Sequence, residues 1–83
     1  MNIQLRYFAA IREAVGTGHE TWTTEATTLG GLRDELIARG GAHAEALARG
    51  RAVRVSLNQT MADEATPLPA GAEVAFFPPV TGG

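Results

Sequence analysis

The residues with the most chemical potential in this eighty-three-residue sequence are its last six, Pro78-Pro79-Val80-Thr81-Gly82-Gly83. Gly82 and Gly83 have no Cβ, so they form the narrowest peptide a chain can present and adopt nearly any φ/ψ. Such an end threads a channel closed to every side chain and offers the carboxylate of Gly83 to another protein's reagents. Val80 and Thr81 are β-branched and favour extended backbone. Pro78 and Pro79 fix φ and remove two backbone donors, which ends the strand before them and carries the chain outward as a rod. Extended, the six residues span roughly 20 Å. That is enough to reach a neighbouring active site while the rest of the protein stays outside. A frayed terminus is also glycine-rich, but the preceding Phe76-Phe77 pair and the double proline favour the reactive reading.

No other residues assemble a chemical site. His19 and His43 are far apart, and without cysteine they form no metal-ligand pattern. Both read as surface residues. Ser56, the single serine, sits in a strand-like stretch rather than a nucleophile elbow. Gly30-Gly31 and Gly40-Gly41 lack the strand, helix and lysine of a phosphate-binding loop. Asp63-Glu64 pairs two carboxylates, with an exposed loop as its expected home. With no acid, base and nucleophile brought together, the chain reads as a macromolecular co-substrate. It has no catalytic site of its own and no bound cofactor or metal.

Composition sets the frame. Hydrophobic residues make up 45% and charged residues 19%, which suits a single folded domain over residues 1–77 followed by the tail 78–83. The net charge of -2 comes without a basic cluster, so nucleic-acid binding has little electrostatic support. No apolar run reaches membrane-spanning length and no signal pattern opens the chain, so a cytoplasmic location is expected. All seven positive residues are arginine. A GC-rich coding sequence is one source of that bias. Whatever its source, a chain without lysine cannot build isopeptide polymers of its own kind. The absence of cysteine likewise excludes holding sulfur on a thiol of this chain.

The elements that must position the tail follow from periodicity. Ile3, Leu5 and Tyr7 alternate with Gln4, Arg6 and Phe8, predicting a half-buried strand over 2–8. Ile11 and Val15 continue from Phe8 at helical spacing, so a short helix over 9–15 stops at Gly16. A threonine-rich strand with Trp22 covers 19–25. Thr27 or Thr28 caps the next helix, whose Leu29, Leu32, Leu36 and Ile37 form one stripe. Arg33, Asp34, Glu35 and Arg39 are expected to face water. Gly30-Gly31 weaken this helix by about 1 kcal/mol each, and Gly40-Gly41 end it. Residues 42–49 are alanine-rich and can form a further short helix. Val53, Val55 and Leu57 predict a third strand, Asn58-Gln59-Thr60 a turn, and 61–70 a loop with at most a short edge strand. The last strand covers 72–77. One main helix on one face of a mixed sheet is an α+β arrangement, with the first and last strands central and parallel.

The ending "EVAFFPPVTGG", the opening "LRYFAAIREAVG" and "SLNQT" resemble the MoaD-type ubiquitin-like family, the small sulfur-carrier subunits of molybdopterin synthase. The resemblance spans the whole chain. It implies a β-grasp fold. It also implies that Gly83, preceded by Gly82, is adenylated by a ubiquitin-activating-type (MoeB-type) enzyme using ATP and then converted to a thiocarboxylate. The sulfur goes to a cyclic pterin precursor of the molybdenum cofactor, on a MoaE-type large subunit, in a heterotetramer of two small and two large subunits. Rivals are a ThiS-type carrier for thiamine thiazole, a protein modifier joined to lysines, and an interaction domain with an inert tail.

Some apolar residues do not fit a core on one side of the sheet. Val74 and Phe76 share one face of the last strand and Phe77 points from the other. Phe77, Phe8 and the adaptable Met61 therefore either pack under local loops or form a partner surface. The resemblance supports the second, because an apolar patch at matching positions docks on the family's large subunit. It also places Pro78, Pro79, Val80 and Thr81 in the partner's channel and Arg12 against the activating enzyme. A plain solvated arginine is the alternative at Arg12.

Overall fold

A computed structural model of the chain describes residues 1–79, so the expectations for Val80, Thr81, Gly82 and Gly83 fall outside the described residues. In chain order the elements are β1 (Asn2–Tyr7), α1 (Ala9–Val15), β2 (His19–Thr23), α2 (Leu29–Ala38), α3 (Gly41–Leu47), β3 (Arg54–Leu57), β4 (Thr60–Ala62) and β5 (Glu73–Phe77). The sheet runs β2-β1-β5-β3-β4. At its centre β1 and β5 pair in parallel, Gln4 with Glu73 and Tyr7 with Phe76, while the outer pairs are antiparallel. A parallel pair needs a crossover, and the helices supply it. This is the β-grasp arrangement, and strand ends differ from the sequence reading by one or two residues, as hydrogen-bond assignments do.

Alternation decides which face is buried. Ile3, Leu5, Tyr7, Val74 and Phe76 point into the helix layer and are at most 1% exposed. Leu29, Leu32 and Leu36 of α2 meet them at 0%, each buried leucine contributing about 1.5–3 kcal/mol. The cover is broader than a single helix, because Ile11 of α1 and Ala46 and Leu47 of α3 join the same core.

Thr28 is the cap of α2. Its hydroxyl accepts from the Gly31 amide at 3.0 Å, satisfying one of the orphan donors of the first turn. Gly30 has a packing reason. Its amide donates to the Glu64 carbonyl at 2.8 Å, and a Cβ there would meet that oxygen at 3.1 Å. The close approach joins the 63–66 loop to the helix start. Asn58 and Gln59 both have positive φ, 49° and 69°, the backbone of a two-residue primed hairpin turn. Thr60 already belongs to the edge strand β4.

Four surface expectations are corrected. Arg33 does not face water; it is 4% exposed. Its Nε donates to the Leu47 carbonyl at 2.8 Å, and Nη2 to those of Ala48 and Arg51 at 2.7 and 3.1 Å. Nη1 meets Glu64 at 2.8 Å. The connection after α3 carries carbonyls outside any ladder, and the guanidinium fork satisfies three of them. Glu35 accepts from Trp22 Nε1 at 3.0 Å and Thr24 at 2.6 Å. His43 is half-buried, its ring edge-on to Tyr7 with centroids 5.9 Å apart. Of the Asp63-Glu64 pair, only Asp63 is exposed. Among the described residues no helix is long and apolar enough to cross a membrane.

Candidate functional site

The face of the sheet away from the helices has two halves. Over β2 and β1 the side chains satisfy one another. Thr23 donates to Asn2 at 2.7 Å, Thr21 to the Gln4 carbonyl oxygen at 3.2 Å, and His19 Nε2 lies 2.9 Å from that same oxygen. Over β5, β3 and β4 the face is mixed, with Ala75, Phe77 and Met61 set among Arg54, Ser56 and Glu73. The cross-strand row Arg6, Ala75, Ser56, Met61 follows from the pairing register. Phe77 lies on the same side of β5, opposite Arg54.

Phe8 extends this patch. It is the N-cap residue of α1 in extended backbone, and its amide donates to the Phe76 carbonyl at 3.2 Å. Tied there, its ring stands edge-on to Phe77 with centroids 6.4 Å apart. The Arg6 guanidinium carbon sits 5.9 Å from the Phe8 ring centre. Phe8 is 43% and Met61 48% exposed, and Phe77 is half-buried. Met61 stands on the same face, two strand spacings (about 10 Å) from Ala75 and offset from Phe77 by two residues along the strands. Ala75 and Ser56, buried at 7% and 8%, form its floor. An exposed aromatic pair beside Arg6 and Glu73, themselves 3.8 Å apart, with polar neighbours around it, makes this face a candidate protein-docking site.

The sequence-predicted residues thus divide. Phe8 and Phe77 come together, while Met61 lies on the same face two strands from Ala75. Pro78 and Pro79 follow directly from β5 at the end of this face, both half-buried. Arg12 belongs to the helix layer, its side chain laid over Gly18, whose added Cβ would meet Nε at 2.9 Å. The floor residues Ala75 and Ser56 and the cation at Arg6 went unread in the sequence. Alternation alone puts Arg6 and Ala75 on the open face, but only the strand register sets them beside Ser56 and Met61.

Titratable groups cluster in the helix layer instead, as ties between elements. Tyr7 donates to Glu20 at 2.7 Å, His43 Nε2 lies 2.9 Å from the same oxygen, and Arg39 meets the other at 3.0 Å. Partial burial pushes the Glu20 carboxyl up, but bonds from His43, Tyr7 and Arg39 outweigh it and hold it below the ordinary carboxylate range. Burial, with Glu20 beside it, pushes the Tyr7 phenol up. Burial likewise opposes ionisation of Glu64, and Arg49 and Arg33 prevail. The same holds at Glu35, where Thr24, Trp22 and the Glu25 amide outweigh burial. These carboxylates are ionised partners in structural networks, with no apposed nucleophile.

Comparison with known proteins agrees with this geometry. The ThiS family matches residues 5–83. The molybdopterin synthase sulfur carrier subunit of Escherichia coli (strain K12) is 41% identical over 81 residues, 98% of this chain and 99% of that protein. The small archaeal modifier protein 1 of H. volcanii superposes with a TM-score of 0.76 at 26% identity, covering 95% of this chain and 98% of that one. A chain from the complex of subunits 1 and 2 of molybdopterin-converting factor from Helicobacter pylori 26695 gives 0.65 at 30% identity, covering all of both chains. The chain belongs to the ThiS family and is similar over nearly its whole length to sulfur carrier subunits of molybdopterin synthase.

Proposed function

We propose that this chain is the sulfur-carrier subunit of a molybdopterin synthase, with residues 1–77 as the docking body and 78–83 as the reactive tail. The observation that carries the reading is the 41% identity over 98% of the chain to a curated sulfur carrier subunit. In this reading Phe8, Phe77 and Met61 dock on a large subunit, which the two-subunit complex of the Helicobacter pylori relative supports. Pro78, Pro79, Val80 and Thr81 aim the tail into that partner's active site, and Arg12 contacts the activating enzyme.

A carboxylate is a poor electrophile, so Gly83 is first activated. One of its oxygens attacks the α-phosphorus of ATP on an adenylating enzyme, pyrophosphate leaves, and a mixed anhydride forms. A persulfide donor attacks the acyl carbon and AMP leaves. A second thiol of the donor breaks the S–S bond, which frees the thiocarboxylate. Its sulfur then bonds to an oxygen-bearing carbon of the cyclic pterin precursor, the carbon–oxygen bond there breaks and the oxygen leaves, and water cleaves the acyl–sulfur bond to return the Gly83 carboxylate. Two such transfers build the dithiolene. Gly82 keeps the approach slender. This ATP-dependent chemistry belongs in the cytoplasm, and the cofactor requirement falls on the activating enzyme.

A second reading, favoured by the likeness to a small archaeal modifier protein, keeps the adenylate and replaces sulfur by a target lysine. Intact mass after incubation with the activating enzyme, ATP and a sulfur source tests both. Exchange of one oxygen for sulfur at Gly83 is the expected result. An unchanged mass with a competent enzyme overturns the carrier reading.

A further inference from the structure

Arg6 and Arg54 flank the aromatic pair of the open face, and neither has a close ionic partner among the described residues. We propose that these two arginines select the protein that docks here, and that its docking surface carries an apolar side chain flanked by two carboxylates. The inference rests on the reading of this face as the large-subunit dock and names the chemistry that the dock requires.

The register places the groups. Arg6 lies beside Ala75 on one side of β5, and Arg54 lies opposite Phe77 on the other. Two strand spacings and a two-residue offset put their backbones about 12 Å apart. Beside Arg6 is a recess of about 280 Å³, with Ala75 and Ser56 as its floor and Phe8 and Phe77 as one wall. It is smaller than a small-molecule pocket, so it suits one inserted side chain and not a cofactor.

Both arginines are available. Arg6 stands 3.8 Å from Glu73, beyond hydrogen-bond reach, and its side chain is 46% exposed. A surface pair of this kind contributes little, so exchanging Glu73 for a partner's carboxylate costs little. The Phe8 ring, 5.9 Å away, holds the Arg6 cation at the rim of the recess. Arg54 is exposed and forms no ion pair among the described residues. Asp63 lines a hollow with it, but the Asp63 carboxylate is turned into its own loop and accepts from the Ala65 amide at 2.9 Å. Arg33, Arg39 and Arg49, by contrast, are already paired with Glu64, Glu20 and Asp34. A guanidinium fork takes a carboxylate through two parallel hydrogen bonds.

Charge also separates the possible occupants. The net charge of the chain is -2, so an acidic partner is repelled by the molecule as a whole and accepted at Arg6 and Arg54, which orients docking. A second copy would bring the same arginines, and in a two-fold contact they would outnumber the Glu73 carboxylates two to one.

The test is the affinity of the carrier for the large subunit of its own synthase, at low and high salt, for wild type, Arg6→Met, Arg54→Met and Phe77→Ala. Methionine keeps the apolar stem and removes the charge. Each arginine variant is expected to bind about tenfold more weakly at low salt and to lose part of the wild-type salt dependence. Urea midpoints should not move, because both side chains are exposed. Phe77→Ala should weaken binding equally at both salts. Arg54→Lys supplies a second measurement, since a carbodiimide is expected to join position 54 to an Asp or Glu of the large subunit, located by peptide mapping. Arginine variants that bind as wild type does, or more tightly, overturn the inference and leave the dock in place. A join mapped only within the carrier does the same. Wild type that does not bind, or Phe77→Ala that binds equally well, overturns the reading of this face as the dock, and the inference with it.

Discussion

Phe76 and Phe77 are chain neighbours in one strand, yet they belong to two different surfaces. Phe76 points into the helix layer, is 1% exposed and stacks on Tyr7 at 6.4 Å. Phe77 points the other way and meets Phe8 at the rim of the open face. Period-two geometry separates them, and the helices decide which side becomes core. The covered face spends its apolar residues on stability. The open face keeps comparable residues available, and beside them Asn2, Gln4, Thr21 and Thr23 close off the polar half with bonds of their own. A small domain thus holds an exposed aromatic pair next to its core without letting either merge into the other.

The largest effect should come from truncating each aromatic in turn. Phe76→Ala is expected to destabilise the fold by about 3–5 kcal/mol in urea titration. Phe77→Ala should cost under about 1 kcal/mol of stability while weakening capture by a large subunit by about 2 kcal/mol, roughly 30-fold. Equal stability losses would erase the distinction between the faces. Next, Arg33→Met removes the donors to the Leu47, Ala48 and Arg51 carbonyls. A loss of about 1–3 kcal/mol is expected, because the Leu47 and Arg51 carbonyls lose this donor while the Ala48 carbonyl keeps the Arg51 amide. An unchanged midpoint would mean that water replaces the guanidinium.

Acidification acts on the covered face alone. Glu20, Glu35 and Glu64 are all held below their ordinary range in the folded state. Their contribution is present above the unfolded carboxylate value of about 4.3 and is lost as pH falls through the lower folded values. Thermal midpoints should therefore be level from neutrality to about pH 5 and fall below pH 4, with Glu64→Gln flattening the decline. Decline beginning near pH 6 would implicate a histidine instead. The smallest effect lies at the hairpin beside the open face. Gln59 has φ of 69°, so Gln59→Gly should stabilise by under about 1 kcal/mol. A loss would show that the Gln59 side chain supports the turn.

Much of this was legible in the chain itself. Alternation in 2–8 and 72–77, the Leu29-Leu32-Leu36 stripe and the Gly16 stop define the β-grasp elements, because period and backbone chemistry are local properties. The composition of the tail made Gly82-Gly83 the candidate reactive end for the same reason. Arg33 was misplaced because an arginine among polar neighbours looks solvated. Its burial depends on carbonyls fourteen to eighteen residues away. His43 and Glu64 were misread on the same ground, their partners Glu20 and Arg33 being distant in sequence.

The sequence by itself determined the elements, the two-sided last strand, the slender carboxyl end and the lysine-free surface. All of these reside in residue type and short-range spacing. Only the tertiary structure decided that Phe8 meets Phe77 and that Ala75, Ser56 and Met61 form one cross-strand row on the same face. It alone decided that β1 and β5 run side by side in parallel. The physical reason is that strand register and direction are long-range choices, made by the burial of one face against the helices and not by any single segment.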